Sequence, residues 1–287
     1  MNKKERGEFI YRFYRKRTTS FLANLYKASI TGDREDIHQA RVDVKKILAL
    51  FRLIEIVLPD LFQKDDHFCL FQRLFDVTGK IREAQVNGIL VNKYCQDNTE
   101  AHLYKEFLKS EELRLTKQFL STVQNIEDRK LKQSEVEIRR IVKKISKRKF
   151  ETITEKFIIK KARKTRKLLS EKKSPEYLHK IRQNLKSIGA IAALSNSIKK
   201  DEKLRGILND LSKVEIHIGE WHDNLVFIQS IQIFLRKMSK TRKAKFPYMK
   251  KLRIQLLKEN QNVQGRIIPE LGMLLVTILD SPDKVLP

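Results

Sequence analysis

The chain contains the same short motif twice, and the residue types of this motif are suited to holding an anion. The motif His-x-x-Arg-x-x-x-Lys occurs at residues 38–45 and again at residues 179–186, an offset of 141 positions. An arginine can clamp two oxygens of a phosphate group, a lysine acts as a mobile point charge, and a histidine donates a hydrogen bond. A motif built from these three residue types therefore predicts contact with phosphate-like oxygens.

The spacing of the first motif predicts that its cations form one narrow line along a helix. At 100° per residue, four side chains fall within about 60° of one another: His38, Arg41, Lys45 and Arg52. Apolar residues flank this line, with Val42 and Leu53 on one side and Ile37 and Leu48 on the other. Burying an unpaired cation costs several kcal/mol, and acidic neighbours are scarce in this segment. The pattern therefore predicts an anionic partner.

A second pair of segments also repeats. Residues 79–83 read Gly-Lys-Ile-Arg-Glu and residues 219–223 read Gly-Glu-Trp-His-Asp, an offset of 140 positions. Both segments begin with a glycine and end in a cationic residue followed by an acid. Two features that recur in the same order at nearly the same offset indicate an internal duplication. We expect the two halves to pack around a pseudo-twofold axis, with both histidine motifs facing a shared groove.

Long helices are the elements expected to position these motifs. Nine glycines and six prolines in 287 residues are few, and alternating strand patterns are absent, so the predicted fold class is all-α. Asp33 and Ser174 are predicted N-caps, and Pro59 is a predicted stop. Helices are predicted at residues 4–30, 33–58, 61–80, 84–98, 100–123, 134–170, 174–198, 202–218, 224–240 and 247–262.

The composition fits a folded chain with a large excess of positive charge. The sequence has 61 Lys and Arg against 35 Asp and Glu, a formal charge of +26, and its 41% hydrophobic residues are enough for a core. Residues 1–287 are predicted to form one domain with halves at residues 1–133 and 134–287, joined through the basic stretch 134–167. Self-repulsion on this scale destabilises the compact state unless an anion relieves it, so we expect a strongly acidic partner.

Three features favour a soluble, cytoplasmic protein. The two cysteines, Cys69 and Cys95, are too few for a disulfide framework or a four-thiolate zinc site. The first ten residues lack the apolar region of a secretion signal. The late apolar stretch at residues 267–279 is interrupted by Pro269 and Glu270, and it is shorter than the ~20 residues that a membrane span needs.

Four ordered segments resemble the CHAD family, the conserved histidine α-helical domain. They are residues 38–46, 79–86, 178–186 and 219–223, and the resemblance extends from the first helix to about residue 240. Similarity to this family implies two helical bundles related by a pseudo-twofold, a basic central channel, and binding of inorganic polyphosphate. It also implies association with polyphosphate granules.

Carried over position by position, the resemblance implies a set of channel ligands: His38, Arg41, Lys45, Lys46, Arg52, Arg82, His179, Arg182, Lys186 and His222. The sequence departs from the family where Leu48 and Gly189 replace further arginines. Glu83 stands where the family prefers Asp, and Lys45 and Lys46 replace a more typical arginine pair. Fewer bidentate contacts to phosphate follow from these departures.

Two other basic regions have more than one interpretation. Residues 11–17 interleave Arg12, Arg15 and Lys16 with aromatic residues, which would suit a stacking platform for nucleic-acid bases. We favour the interpretation in which the aromatic residues belong to the core and the three cations line the channel or its mouth. The run at residues 160–167 is either a solvated basic face or an anion-binding surface. Non-specific binding of RNA or single-stranded DNA is the alternative function.

The remaining histidines predict neither a metal site nor an enzyme. His67 and His102 lack the motif context and are predicted to lie at the surface. His217 and His222 are five residues apart, which does not align two ligands on one helix face. His222 followed by Asp223 would suit an oriented imidazole in a polyphosphate-processing enzyme, but no P-loop, histidine-phosphatase or tunnel-enzyme motif accompanies it. We therefore predict a non-catalytic binding protein without a cofactor.

Overall fold

Helices form the architecture in the residues that the computed structural model describes, which are 3–125, 128–171, 176–241 and 245–280. These residues contain nine helices and no strand, which confirms the predicted all-α class. The helices are α1 (Lys3–Thr31), α2 (Arg34–Val57), α3 (Lys64–Tyr94), α4 (Thr99–Val123), α5 (Asp128–Val142), α6 (Lys147–Glu171), α7 (Tyr177–Lys199), α8 (Glu202–Thr241) and α9 (Pro247–Leu279).

The helix that carries the first histidine motif begins and ends where the sequence predicts. Gly32 has a φ of +65°, a left-handed conformation that ends α1. The Asp33 side chain then accepts hydrogen bonds from two backbone N–H groups of the next turn, at 2.8 and 3.0 Å, as an N-cap does. Helix α2 ends shortly before Pro59, which cannot continue it. The other predicted N-cap, at residues 174–175, lies outside the described residues.

Two helices are longer than predicted. Helices α3 and α8 continue without a break through residues 79–83 and 219–223, where the sequence predicts boundaries. The prediction of two helices in each region is therefore wrong. A glycine inside a helix costs about 1 kcal/mol relative to alanine, whereas burial of a large apolar side chain contributes about 1.5–3 kcal/mol. Ile81 and Trp221 are buried beside these glycines, and their packing keeps both helices continuous.

The predictions differ from the structure at two further places. The predicted helix at residues 134–170 is two helices, separated by a turn at residues 143–146. Ser146 caps the second of them, because its Oγ accepts a backbone N–H at 3.3 Å. Helix α9 continues past its predicted end and through Pro269. None of the helices in the described ranges is long and apolar enough to cross a bilayer.

Neighbouring helices pack in the same order in the first and last parts of the chain. Helix α1 packs on α2, α2 on α3 and α3 on α4, and the same sequence of contacts runs from α6 to α9. One apolar cluster, around Phe51, involves mainly α1, α2, α3 and α5, and a second, around Ile181, involves α6 to α9. A third cluster, around Phe227, joins α3 and α4 to α8 and α9. The predicted division at residues 133–134 falls inside α5, which packs into the first cluster.

Candidate anion-binding site

Both histidine motifs line one cavity, which we call the basic pocket. It has a volume of about 1390 Å³ and is lined by side chains from α2, α3, α6, α7 and α8. Helix α2 packs against α7, and α3 packs against α8, so residues about 140 positions apart share this space. Nine predicted site residues lie on the wall: His38, Arg41, Lys45, Arg52, Arg82, His179, Arg182, Lys186 and His222.

Arg41 is held in a fixed position by α3. Its Nη1 donates to the backbone carbonyl of Phe75 at 2.5 Å, and its Cζ lies 4.2 Å from the centroid of the Phe75 ring. Such a cation–π contact is worth about 0.5–2 kcal/mol. A Cβ atom at Gly79 would come within 2.9 Å of Arg41 Nη1. Glycine is therefore the residue at position 79 that leaves room for the stacked guanidinium.

Arg182, in the second motif, faces carboxylates. Burial lowers the pKa of Arg182, whereas Asp223 and Glu215 favour its charged form. The Nε of Arg182 is buried without a hydrogen-bond partner among the described residues. A Cβ atom at Gly219 would meet nothing within 4 Å, so this glycine makes no room for a guanidinium. Arg182 therefore keeps a donor without a partner in the described structure.

Three histidine rings line the basic pocket, and two of them carry buried nitrogens without partners. The Nδ1 atoms of His38 and His222 have no hydrogen-bond partner in the described part of the chain. The His222 ring lies 5.6 Å from that of His179, centroid to centroid, and His179 Nε2 lies 2.9 Å from Gln183 Nε2. Burial and the neighbouring cations lower the pKa of His222 to about 4 and also lower the pKa of His38. Both imidazoles are thus neutral at pH 7 without a bound anion.

The two motif lysines are electrostatically coupled across the basic pocket. Burial, Arg182 and Lys45 lower the pKa of Lys186 to about 8, with Glu215 acting in the opposite direction. Burial, Arg41 and Arg182 lower the pKa of Lys45. Each lysine therefore experiences the cations of the other motif. An anion placed between the motifs would relieve this repulsion.

The carboxylates on the wall do not neutralise its cations. Four carboxylates line the pocket: Glu55, Glu83, Glu215 and Asp223. Burial raises the pKa of Glu83, Glu215 and Asp223, and the nearby cations oppose this effect. Ten lysines and arginines line the same described wall, so the excess is six positive charges.

The wall contains cations that the predicted set omits: Lys64, Lys161, Lys164 and Lys180. Lys161 donates to Asn184 Oδ1 at 3.3 Å. Lys161 and Lys164 belong to the run at residues 160–167, and helical spacing places them on one face of α6 with Phe157. That spacing was the signal that could have identified them. Lys64 and Lys180 carry no comparable signal.

The structure does not bring four predicted residues to the basic pocket: Lys46, Arg12, Arg15 and Lys16. Lys46 follows Lys45 and so points about 100° away around α2. Its neighbours there are Arg17 and Asp43, which form an ion pair at 3.3 Å. Helix α1 packs on α2, and Arg12, Arg15 and Lys16 lie outside the cavity wall. Arg12, for example, is exposed and pairs with Glu8 at 3.6 Å.

The aromatic residues of the segment 11–17 belong to the core, as predicted. Tyr14 is fully buried, and Phe13 packs against the first apolar cluster. Tyr11 is also buried and donates its hydroxyl to Glu135 at 2.8 Å. These rings are therefore not available as a platform for base stacking.

The histidines outside the motifs have different environments. His67 is buried, so its predicted surface position is wrong: its Nδ1 lies 2.8 Å from Ser134 Oγ, and its ring stacks on Phe62 with 4.5 Å between centroids. The cause is the packing of α5 near the start of α3, which the local sequence does not reveal. His102 is exposed, as predicted. Within the described ranges, no group of three His, Cys, Asp or Glu side chains is arranged to hold a metal ion.

Comparisons with known proteins show which family this chain belongs to and which solved structure it resembles. The helices and the basic pocket define an all-α protein in which two copies of one motif share a cavity. The family model of the CHAD domain matches residues 14–232, and the chain therefore belongs to the CHAD domain family. Among solved structures, the chain is similar to the crystal structure of the CHAD domain from the plant Ricinus communis. The TM-score is 0.73 at 15% identity, over 93% of this chain and 91% of that one, a likeness that shows the fold alone. A comparison with curated proteins gave no match.

Proposed function

We propose that the chain binds inorganic polyphosphate in the basic pocket and catalyses no reaction on it. The observation that carries this proposal is the meeting of both histidine motifs in one cavity, with an excess of six positive charges on its described wall. Polyphosphate is a thin polyanion with non-bridging oxygens along its whole length, so it matches a cavity lined by arginine and lysine from several sides. The resemblance of the motifs to the CHAD family implies the same ligand.

Unpartnered polar atoms in the pocket support this ligand. Four such buried atoms belong to its wall: His38 Nδ1, Arg182 Nε, Asn184 Nδ2 and His222 Nδ1. A buried donor without a partner costs about 1–3 kcal/mol. Phosphate oxygens accept hydrogen bonds from guanidinium, amide and imidazolium groups, so a bound chain would recover this cost once the side chains turn these atoms towards it.

We also propose that the basic pocket is the central channel of a duplicated fold. Helices α1 to α4 and α6 to α9 would form two helical bundles related by a pseudo-twofold. The repeated packing order supports this arrangement, and so do the contacts of α2 with α7 and of α3 with α8. These contacts join helices that carry equivalent motifs, which is what a twofold relation requires.

RNA or single-stranded DNA is the alternative ligand, and the aromatic side chains of the pocket favour polyphosphate over it. Base stacking on an aromatic ring contributes about 1–3 kcal/mol per base. The aromatic residues on the described wall are Phe75 and Phe157. Arg41 covers the Phe75 ring at 4.2 Å, and the ammonium group of Lys161 lies 5.7 Å from the Phe157 ring.

The surroundings of His222 support binding without catalysis. A general base works best with a pKa near the operating pH and with a partner that orients its ring. The pKa of His222 is lowered to about 4, and its Nδ1 has no hydrogen-bond partner among the described residues. We therefore propose that His222 contacts the anion without breaking a bond in it.

Thermal unfolding with and without polyphosphate tests the proposal. Long-chain polyphosphate at low salt should raise the Tm strongly, because a ligand of the folded state stabilises that state. The double variant Arg41→Ala with Arg182→Ala should lose this shift. The control variant, Lys105→Ala with Lys109→Ala, removes the same charge from the exposed side of α4 and should keep it.

Two outcomes would contradict the proposal. Single-stranded RNA of matched charge that competes as well as polyphosphate would remove the specificity for polyphosphate. Release of phosphate or shortened chains, lost in His222→Ala, would show an enzyme.

In cells, we propose a cytoplasmic protein that associates with polyphosphate granules. The Arg41→Ala and Arg182→Ala double variant should lose this association, which fluorescence microscopy would measure.

A further inference from the structure

The basic pocket is too short to contain a long polyanion. Its wall on α2 extends from His38 to Ile56, which corresponds to about 27 Å of helix, and its wall on α6 extends over about 16 Å. A long chain held in the pocket must therefore continue over the surface of the protein. The surface that it crosses next will influence the affinity for long chains and leave that for short chains unchanged.

We propose that exposed lysines on α6 form a track that holds this continuing part of the polyphosphate, an inference that rests on the proposed function. The track consists of Lys149, Lys156 and Lys160, which are exposed, and leads to Lys164 on the pocket wall. Its outer end is the turn between α5 and α6. Residues 139–149, which comprise this turn and the adjoining helix ends, contain seven lysines and arginines and no acid.

The positions of the lysines around α6 direct the track into the basic pocket. At 100° per residue, Lys149 and Lys156 lie within about 20° of each other. From Lys156, the next two members, Lys160 and Lys164, each turn about 40° further in one direction. From Lys156 onward the line therefore turns towards the pocket-facing side of the helix. From Lys149 to Lys164 the helix rises about 22 Å, which is enough for several phosphates.

The two acids of α6 that are nearest to the track along the helix point away from it, and Glu171, at the far end of α6, pairs with Lys167 at 3.9 Å. Glu151 and Glu155 are roughly 100° or more around the helix from each of its three outer lysines. In the part of the chain that the structure describes, none of these lysines takes part in an ion pair. Cations without paired acids attract a polyanion and release its counterions on contact. The track and the pocket thus form one continuous basic surface.

Calorimetric titrations with short and long chains separate the track from the pocket. In the variant Lys149→Gln, Lys156→Gln and Lys160→Gln, tripolyphosphate should bind with unchanged affinity. Long-chain polyphosphate should bind about tenfold more weakly at low salt. Its plot of log affinity against log salt should lose about 2 from its slope, at ~0.7 for each lost contact. The control Lys105→Gln, Lys109→Gln and Lys117→Gln removes three exposed charges from α4, which contributes nothing to the described wall, and should resemble the wild type.

The outcomes distinguish this inference from the proposed function. The track alone is overturned if the track and control variants bind long chains with equal affinity and equal salt slope. In that case the pocket still stands, provided that the wild type binds tripolyphosphate and the Arg41→Ala and Arg182→Ala double variant does not. Failure of the wild type to bind either chain would overturn both. A track variant that loses affinity for single-stranded DNA while keeping its affinity for long polyphosphate would assign the surface to nucleic acid and would also overturn the track.

Discussion

The two halves of the basic pocket carry the same motif in different surroundings. Arg41 is stacked on Phe75 and donates to its carbonyl, so its guanidinium is already positioned. In the second half, Glu215 stands 140 positions after Phe75. Arg182 lies near this carboxylate and keeps an unpartnered Nε. The same charge pattern is therefore held in two ways: by a rigid clamp in the first half and by counter-charge in the second.

Removing each arginine separately should have the largest effect on polyphosphate affinity and should show which half contributes more to binding. We expect Arg182→Ala to weaken polyphosphate binding about 100-fold, because charge-assisted hydrogen bonds are worth about 1.5–3 kcal/mol each. Arg41→Ala should weaken it about tenfold, since one donor of Arg41 is already used by Phe75. Calorimetric titration at fixed salt measures both. Equal losses would show that the two settings do not differ in binding.

The two equivalent glycines provide a matched pair with a smaller expected effect. Gly79→Ala should displace the Arg41 guanidinium and weaken binding about fivefold, because the new Cβ would lie 2.9 Å from Nη1. Gly219→Ala should leave binding unchanged and raise the free energy of unfolding by about 0.5–1 kcal/mol, through helix propensity. Titration and urea unfolding check the pair. A similar loss of affinity in both variants would contradict the clamp.

Removing the counter-charge from the second half should change the affinity in the opposite direction. Glu215→Gln leaves Arg182 and Lys186 without this carboxylate, so the affinity for polyphosphate should rise about threefold to fivefold. Glu220→Gln, which removes an exposed acid paired with Lys93 at 3.5 Å, is the control and should change little. If both variants bind polyphosphate equally well, the carboxylate of Glu215 does not lower the affinity of the second half for the anion.

The dependence of binding on pH should be the smallest effect. The pKa of Lys186 is lowered to about 8, and a bound anion raises it, so binding takes up a proton. Affinity should therefore fall about threefold as the pH rises from about 7 to 9, through the pKa of the unliganded lysine. In Lys186→Arg the fall should be smaller, because arginine stays charged. Titrations in buffers of different ionisation enthalpy measure the proton uptake, and its absence near pH 8 would contradict this assignment.

The helix that carries each motif could be predicted because local signals determine it. The spacing of His38, Arg41 and Lys45 aligns them on one face, and the apolar flanks indicate that this face is enclosed. Asp33 is an N-cap that the local sequence reveals, so the start of α2 could also be predicted. The role of Gly79 could not be predicted, because it depends on a side chain from α2 that packs against α3. Such a contact joins residues that are distant in sequence.

The errors arose where packing overrides a local signal. Gly219 favours a helix end, yet the buried neighbours of α8 keep the helix continuous. The cations of α1, such as Arg15, fit a channel by composition, but α1 lies outside the five helices that form the pocket wall. His67 shows the same limit, since its burial depends on Ser134 of a later helix.

The continuity of α3 and α8 determines which groups of these two helices can contact a ligand in the basic pocket. Helix α8 crosses the basic pocket well away from its ends, and so does α3 between Phe75 and Val86, although Lys64 at the start of α3 also reaches the wall. Along these two stretches the backbone amides are bonded within the helix. On these two walls, contacts to an anion come from side chains alone, such as Arg82 on α3 and His222 on α8. Recognition of this kind fixes no register along a chain of identical phosphates. A bound polymer could therefore slide through the pocket in steps of one phosphate and keep an equivalent set of contacts at each step.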